Sequence, residues 1–544
     1  MLSVFVLLGC GDVQTQRTTS NGGGTLVIAS TSDAGTLFPP AVISTLDKQI
    51  SEQIYDYLAD VGPDMNTYGD KGFRAELADS WQWAPDSLSI AFHINPHARW
   101  HDGVRVDAHD VAFTYALNRN PALGGRVETE LADIDSVSVP DSLTAVFWFR
   151  TRSPNQFLNA AAQMLILPAH QMKTLSPEAL RDTPPSAIGT GRFRLKSWNH
   201  GSSLELVSDT ANYRGRAKLD RVIWSVTPDF DADVAKLFRG EADLFDGLRL
   251  ENIRDLPRHP NVRAVIIPAT EYVFLLFNLR DPAAAGKPHP LFGNRDLRRA
   301  LAMSIDRDAL VKSVFDTLAD VPLGPTVRAF QSTSPLIPQI PFDPGSGQSL
   351  LDSIGWSTRN SEGVRTRNGR ELGFTLLVSS LSMNRMRMAV LIQEQLRKAG
   401  IRVRIEHLAG AAQAARLSTH NFDASIWSWR LGASLDGTRA GWTQAGLGKG
   451  GVNFGSYENP RFDAQLEAAL MGDPIQSRTA FTKAFAIINQ DAPAIWLYEP
   501  KTILGLHKRI RTTRMRPDAW WFGLADWSVA PSERILRDRL IPSR

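Results

Sequence analysis

The chain has 544 residues, of which 43% are hydrophobic and 22% are charged, and its formal net charge is +3. This length is too great for one ordinary hydrophobic core, so we expect a soluble protein of two or three domains. The charge is nearly balanced and no dense Lys/Arg run is present, so the basic footprint of nucleic-acid-binding proteins is missing and we expect no nucleic-acid partner.

The N-terminus carries an apolar segment, LSVFVLLGC, that ends at Cys10, the only cysteine of the chain. It is shorter than the roughly 20 apolar residues that span a bilayer, but it suits the core of an export signal. LLGC is similar to a lipoprotein lipobox, although no Lys or Arg precedes the apolar run. We therefore expect residues 1–23 to be a lipoprotein signal and flexible tether, with Cys10 lipidated. The alternative is a ragged N-terminus with a chance cysteine.

After the tether, the segment GGTLVIAS predicts a first strand from Thr25 to Ala29, followed by the polar turn STSDAGTLFPP. Polar residues at a strand exit commonly line clefts, which makes Ser32 and Asp33 candidate ligand contacts. The competing interpretation is that their side chains satisfy the local backbone.

A run rich in His-Asp pairs follows, with three histidines spaced by four, as metal ligands on one helical face would be: His93, His97 and His101. Pro96 and the pair Asp102-Gly103 interrupt the helix that such a site needs. Asp107 instead predicts the N-cap of the helix AHDVAFTYAL. We predict turn and cap roles here and no metal site.

The segment LDRVIWSVTPDFDADVAKLFRGEADLF predicts a strand followed by a helix that ends at Gly240. Further helices are predicted in NRDLRRALAMSIDRDALVKSVF, RFDAQLEAAL and RTAFTKAFAIINQ. The segment GFTLLVSS, followed by MRMAVLIQEQLRKAGIRVRIEH, predicts a strand-helix-strand crossover, as found in α/β proteins. The Pro-rich RAFQSTSPLIPQIPFDPGSGQ is predicted to be an extended surface connection.

The best candidate for a ligand-binding wall is the strand ending in IWSWR and the Gly-rich loop after it. The strand carries Trp427, Trp429 and Arg430, and the loop carries Asp436 and Trp442. Large rigid aromatic side chains with a few polar groups are typical of ligand sites. Arg430 can pair with a carboxylate such as the C-terminus of a peptide. Alternate strand residues face opposite sides, so at least one of the three strand residues must instead pack or be solvated.

Catalytic patterns find little support in this chain. GLGKGG matches a GxGxxG string, but no strand precedes it and no Ser or Thr follows Lys449, so we predict a flexible loop. There is no G-x-S-x-G or H-E-x-x-H motif, and the lone cysteine lies in the leader. A peptide or ester hydrolase is therefore a remote alternative, and we expect no catalytic residue, cofactor or metal.

Over nearly its whole length the chain resembles the peptide-binding family (family 5; oligopeptide, dipeptide and nickel binders) of extracytoplasmic solute-binding proteins that serve ABC importers. The matching segments follow the family's order, and they include GGTLVIAS, AELADSWQWAPDSLSIAFHINPHARWHDGVRVDAHDVAFTYAL, IGTGRFRLKSWNHGSSLELVSDTANYRGRAKLDRVIW, NRDLRRALAMSIDRDALV, LIQEQLRKAGIRVRIE, FDASIWSW and APAIWLYEP.

The resemblance implies an α/β, two-lobed periplasmic-binding-protein fold of type II, cluster C-like, with an additional inserted lobe. Mapped on the matching segments, lobe I comprises residues 24–50, 186–270 and 500–540, the inserted lobe 51–185, and lobe III 271–499. The ligand cleft is expected between lobes I and III. The implied function is capture of peptides by a monomeric, membrane-anchored receptor that delivers them to an ABC permease.

One departure from the family concerns the ligand. Well-studied peptide binders of the family carry an aspartate a few residues after the tryptophan of this strand, where it pairs with the free amine of the ligand. Here Arg430, Leu431 and Gly432 occupy that interval and the first acid is Asp436. Either Asp436 reaches the amine or the ligand lacks one, so a blocked peptide, a nickel chelate or an oligosaccharide stays open.

Overall fold

The fold is organised by a mixed β-sheet. The structure is a computed structural model that describes residues 23–123, 130–284, 286–330, 333–433, 436–448, 451–471 and 474–539. Its strands are β1 (Thr25–Ser30), β2 (Ala59–Val61), β3 (Phe73–Ala75), β4 (Ala78–Trp83), β5 (Ser89–Ile94), β6 (Ile134–Asp141), β7 (Thr144–Phe149), β8 (Phe193–Asn199), β9 (Ser203–Ser208), β10 (Arg221–Val226), β11 (Leu244–Phe245), β12 (Val262–Pro268), β13 (Glu271–Phe277), β14 (Ala319–Asp320), β15 (Thr358–Arg359), β16 (Arg365–Arg367), β17 (Arg370–Glu371), β18 (Gly373–Ser379), β19 (Arg402–Leu408), β20 (Ala424–Arg430), β21 (Ala494–His507), β22 (Ile510–Arg511) and β23 (Ser528–Val529).

Helices connect many of these strands. They are α1 (Thr45–Ile54), α2 (Ala108–Asn118), α3 (Gln156–Ala161), α4 (Ala169–Met172), α5 (Pro177–Asp182), α6 (Phe230–Phe238), α7 (Leu250–Asp255), α8 (Arg295–Met303), α9 (Arg307–Phe315), α10 (Pro344–Ser353), α11 (Met383–Lys398), α12 (Gly410–Ser418), α13 (Asp436–Trp442), α14 (Pro460–Met471), α15 (Pro474–Asp491) and α16 (Leu536–Arg539). Across the described ranges, none of them combines the length and apolar character needed to cross a membrane.

Twelve strands of the described chain form one sheet in the order β19-β18-β20-β13-β21-β11-β1-β10-β9-β8, and β12 and β14 also pair with β21. We call β1 and β8–β12 the β1 half, and β13 and β18–β20 the β13 half. The long strand β21 belongs to both, because residues 494–498 pair with β13 and residues 501–507 pair with β12. The chain therefore passes between the halves at residues 268–271 and again at 498–501, side by side.

The first strand and the strand-helix unit after it form as predicted. β1 lies parallel to β10, with Thr25 opposite Arg221. The helix α6 follows β10, and Gly240, just beyond its end, has a φ of +75°, a left-handed conformation that glycine adopts without a steric penalty. The predicted crossover is also confirmed, because β18 and β19 are parallel and are joined by α11.

Residues 78–149 contribute a separate antiparallel sheet, in the order β4-β5-β7-β6, with α2 against it. Asp107 is the N-cap of α2: it accepts a hydrogen bond from the His109 amide at 2.8 Å and forms a capping box with Asp110. At the predicted Asp102-Gly103 turn the Gly103 amide donates to the Trp100 carbonyl. The turn and cap roles are thus confirmed.

The three histidines have separate surroundings. His93 contacts Asp79, with Nδ1 and Oδ1 2.9 Å apart, whereas His101 contacts the Gly191 carbonyl through Nε2 at 2.9 Å. His97 is exposed in the turn between them. Within the described ranges, no group of three or more His, Cys, Asp or Glu side chains is arranged to hold a metal ion.

Two local predictions are wrong in part. The Pro-rich segment is irregular up to α10, but it is not confined to the surface, because it buries Phe330, Ile337 and Ile340 in the apolar core. The loop predicted after β20 contains the helix α13, so Asp436 begins a helix and Trp442 ends it. Both errors arise because burial of apolar side chains overrides the Gly/Pro punctuation of the sequence.

Candidate ligand-binding site

The C-terminal end of β20 lies where the two halves of the sheet meet. β20 is antiparallel to β13, which places Arg430 opposite Glu271, the first residue after the crossing. Because side chains alternate along a strand, Trp427 and Trp429 share one face and Arg430 lies on the other. The start of the strand is buried, whereas the two tryptophans are partly exposed and Arg430 is exposed. The strand therefore runs from the core to an accessible edge.

The two tryptophans form an aromatic cluster with Phe454. The ring centroids of Trp427 and Trp429 are 6.3 Å apart and nearly perpendicular, and Trp429 stacks on Phe454 at 5.6 Å. Gly441 of α13 lies beneath Trp429, where a Cβ atom would come within 3.2 Å of the indole nitrogen. The indole N–H of Trp427 is buried and has no hydrogen-bond acceptor among the residues that the structure describes. This face therefore offers apolar surface, while the Trp427 N–H stays buried.

The opposite face carries a charged cluster of Glu271, Arg385, Ser428 and Arg430. Arg385, in the first turn of α11, donates from Nη2 to Glu271 Oε1 at 3.1 Å and to Ser428 Oγ at 2.6 Å. Arg430 donates from Nη2 to Glu271 Oε2 at a longer 3.5 Å. The side chain of Arg430 is 64% exposed, compared with 20% for Glu271. The cluster thus contains one well-anchored arginine and one accessible arginine.

A contact from this cluster reaches the β1 half. The Nη1 group of Arg430 donates to Oγ1 of Thr45, the first residue of α1, at 3.4 Å. The helix α1 packs against β8 and belongs with the β1 half. Arg430 therefore lies in the space between the two halves, next to the crossing at residues 268–271.

The residues predicted at the exit of β1 are engaged locally. Asp33 accepts hydrogen bonds from Trp198 Nε1 at 3.0 Å and from the amides of Gly201 and Ala34 at 2.8 and 2.9 Å. Partial burial raises the pKa of Asp33, but these hydrogen bonds outweigh it and leave the pKa below its usual value. Ser32 is exposed, and its carbonyl accepts from Ser30. The carboxylate of Asp33 is thus already occupied.

The remaining predicted site residues do not join this cluster. Trp442 is 1% exposed, its N–H donates to the Tyr272 hydroxyl at 2.9 Å, and its ring packs on Phe274 and Trp496. A side chain buried to this extent has no surface left for a ligand, so Trp442 is a core residue in this structure. The side chain of Asp436, and Cys10 with the rest of residues 1–22, lie outside the described part of the chain.

Sequence reasoning missed five members of the site: Thr45, Glu271, Arg385, Ser428 and Phe454. Glu271 gave the clearest signal, since a lone acid at the head of the apolar run YVFLLF marks a strand that leaves the core at that point. Arg385 gave none, because its pairing with Glu271 joins positions separated by 114 in sequence. Such contacts depend on the tertiary fold and not on local pattern.

The loop between β2 and β3, residues 62–72, contacts the chain that follows β20. Thr67 Oγ1 donates to the carbonyl of Ala433, three residues beyond Arg430, at 3.2 Å. The hydroxyl of Tyr68 is hydrogen-bonded to that of Ser477. Met65 is buried in the same apolar cluster as Trp442. These contacts therefore hold the loop against the part of the chain that follows β20.

A separate cavity of about 190 Å³ lies away from this site, between α1, the segment 516–526 and the hairpin of β2 and β3. Charged side chains that line it pair with one another: Arg214 bonds Glu76, and Arg516 bonds Asp60. Burial raises the pKa of Glu76 to about 8. These pairs join the hairpin of β2 and β3 to the chain between β9 and β10 and to the chain after β22.

The match to a family model identifies the class of protein as a solute-binding protein. The chain matches the model of the bacterial extracellular solute-binding proteins, family 5 (middle region), over residues 72–446. Because this match covers more than half of the chain, the protein belongs to family 5 of these extracytoplasmic proteins. Members of this family are solute-binding proteins.

Individual relatives agree with this assignment. The oligopeptide-binding protein AppA of Bacillus subtilis is 25% identical over 519 residues, which cover 93% of this chain and 92% of AppA. The structure of AppA with a nonapeptide matches with a TM-score of 0.75 and 24% identity, covering 94% of this chain and 99% of that one. NikZ from Campylobacter jejuni, solved with Ni(L-His), matches with a TM-score of 0.76 and 21% identity, covering 93% and 99%. The predicted α/β fold of type II periplasmic binding proteins is confirmed.

Proposed function

We propose that this protein captures peptides in a cleft between lobe I, built on the β1 half, and lobe III, built on the β13 half. Lobe III contributes the exposed end of β20 to that cleft, with Arg430 on one face of the strand and Trp427 and Trp429 on the other. The observation that carries the proposal is the contact of Arg430 with Thr45, since it spans the two halves beside the paired crossing segments. The names of AppA and its nonapeptide complex support peptides as the ligand class.

The mechanism is closure of a hinge at residues 268–271 and 498–501. A ligand shifts the balance between open and closed forms only by its difference in affinity for the two. Moving that balance from 1:99 to 99:1 takes about 5.5 kcal/mol. Contacts on both walls supply this difference, because a solute that touches Trp429 and Thr45 together can do so only when the lobes are closed. Main-chain hydrogen bonds then bind peptides of varied sequence.

The same proposal includes where the protein is held and which partner it serves. The chain is held outside the cytoplasmic membrane by a lipid on Cys10, acts as a monomer, and presents its closed form to the permease of an ABC importer. The LLGC sequence supports the anchor. Labelling with a radioactive fatty acid tests it, since Cys10→Ser should abolish both the label and membrane retention. Label retained in Cys10→Ser would contradict the anchor and leave peptide capture untouched.

A second candidate is a receptor of the same fold for a non-peptide solute, such as a nickel chelate or an oligosaccharide. It is favoured by the lack of any acid from Ala424 to Ala433, where a ligand amine would need one. The similarity to NikZ supports the same possibility.

Identification of the copurifying ligand separates the two candidates. The protein should be isolated without refolding, studied by native mass spectrometry, and then screened by thermal shift against peptide pools, oligosaccharides and nickel-histidine. A ligand that binds only the folded protein raises Tm. Peptide masses and a shift with peptide pools support the first candidate, whereas a response confined to sugars or nickel contradicts it.

A further inference from the structure

The charged cluster at the end of β20 is not balanced. Two guanidinium groups, those of Arg385 and Arg430, face one carboxylate, that of Glu271, which leaves one positive charge in excess among these three groups. Ser428 and Thr45 add neutral hydroxyls. An excess charge at a cleft wall biases the ligand towards the opposite sign.

Arg430 is the group that can accept a ligand. A guanidinium has five N–H donors in a planar fork, and the two contacts of Arg430 are long, at 3.4 and 3.5 Å. Its side chain is 64% exposed. Most of its donors are therefore available for a bidentate contact with a carboxylate, a geometry that Lys cannot reproduce.

Glu271 is poorly placed to bind a ligand amine. Arg385 holds its Oε1 at 3.1 Å, and Arg385 is itself fixed by Ser428 at 2.6 Å. An ammonium group that approached Glu271 would meet both guanidinium groups and would increase the excess positive charge. Asp33, one of the two carboxylates predicted for the site, already accepts three hydrogen bonds from Trp198, Gly201 and Ala34, and the side chain of the other, Asp436, lies outside the described residues.

The geometry points to a ligand that brings a carboxylate and no free ammonium group, such as an N-acylated peptide with a free C-terminus. This inference rests on the proposed function and narrows its substrate class. A carboxylate on Arg430 would neutralise the cluster, whereas a buried ammonium would add an uncompensated charge, which is among the most costly events in a desolvated site.

The test uses the full chain and one degenerate pentapeptide pool prepared in four forms, with the N-terminus free or acetylated and the C-terminus an acid or an amide. Binding is measured by calorimetry. We expect the acetylated acid to bind about tenfold tighter than either the acetylated amide or the free-amine acid, which corresponds to about 1.4 kcal/mol.

Variants locate the effect. Arg430→Gln should reduce the preference for acid over amide to less than about threefold. Arg397→Gln, at the far end of α11 where Arg397 pairs with Glu394 in solvent, is the matched control and should retain the preference. Glu271→Gln should strengthen binding of the acetylated acid, because it removes the one negative charge of the cluster.

The outcomes also separate this inference from the proposed function. Tighter binding of the free-amine pools, or loss of that binding in Glu271→Gln, would overturn the inference and leave peptide capture intact. Persistence of the acid preference in Arg430→Gln would overturn it as well. Failure of all four pools to bind would contradict both peptide capture and this inference.

Discussion

Trp429 and Trp442 belong to the same stretch of sequence and face different environments. Trp442 is 1% exposed and donates its N–H to Tyr272, so both its surface and its donor are used within the protein. Trp429 is partly exposed, lies on Gly441 and stacks on Phe454, and its neighbour Trp427 has a buried N–H without a partner in the described chain. Residue type alone therefore does not identify a ligand contact, whereas aromatic surface that the protein leaves accessible points to one.

The largest expected effect is on the buried member of this pair. Trp442→Ala should lower the free energy of unfolding by about 3–5 kcal/mol, because it leaves a cavity beside Phe274 and Trp496. Urea unfolding followed by circular dichroism measures this. Trp148→Ala, at a 45% exposed tryptophan, is the control and should change stability by less than about 0.5 kcal/mol. A Trp442→Ala protein of normal stability that no longer binds ligand would reverse the comparison.

The accessible member should show the opposite pattern. Trp429→Ala should weaken ligand binding by about 1–3 kcal/mol, since aromatic contacts dominate such sites, while its unfolding curve stays close to that of the parent protein. Calorimetry with the ligand identified above measures the loss, and Trp148→Ala again serves as the control. Normal binding by both Trp429→Ala and Arg430→Gln would show that the cleft lies elsewhere.

The sequence predicts helices and strands better than it predicts which tryptophan is buried and which is accessible. β1, the β18-α11-β19 crossover and the Asp107 cap follow from local pattern, because alternation, helical spacing and capping each act over a few residues. The burial of Trp442 could not be predicted, because its Gly-rich surroundings predict a loop, whereas the structure forms the helix α13 there. The partner of Glu271 could not be predicted either, because Arg385 approaches it only after β13, β20 and α11 have packed together.

A smaller effect is expected where the chain after β20 is tied to residues 62–72. Tyr68→Phe removes the hydroxyl that bonds Ser477, and we expect ligand release to become several-fold faster, which corresponds to about 1 kcal/mol for one hydrogen bond. Stopped-flow fluorescence of the site tryptophans measures release. Tyr115→Phe is the control, since its hydroxyl bonds the Ile134 carbonyl and so joins α2 to β6 instead of to the chain after β20. Equal release rates in the two variants would mean that the tie does not hold the closed form.

The contrast between buried and accessible side chains extends to carboxylates paired with arginine, where it predicts a pH dependence of stability. Glu499, on β21 at the crossing, is 5% exposed and accepts from the Arg328 amide at 3.0 Å and from its Nη1 at 2.8 Å, whereas Glu271 is 20% exposed. Burial raises the pKa of Glu499 to about 7, against the influence of Arg328.

The raised pKa of Glu499 determines whether the stability of the folded protein rises or falls with pH. The unfolded chain releases the Glu499 proton near its usual pKa of 4.5, while the folded protein keeps it up to about pH 7. The stabilisation is therefore complete below pH 4.5 and is lost as the pH rises through 7. Glu499→Gln should remove this decline, about 2 kcal/mol between pH 5 and 8, in denaturant unfolding. The exposed Glu178→Gln should leave the decline in place, and an unchanged slope in Glu499→Gln would place the proton on another group.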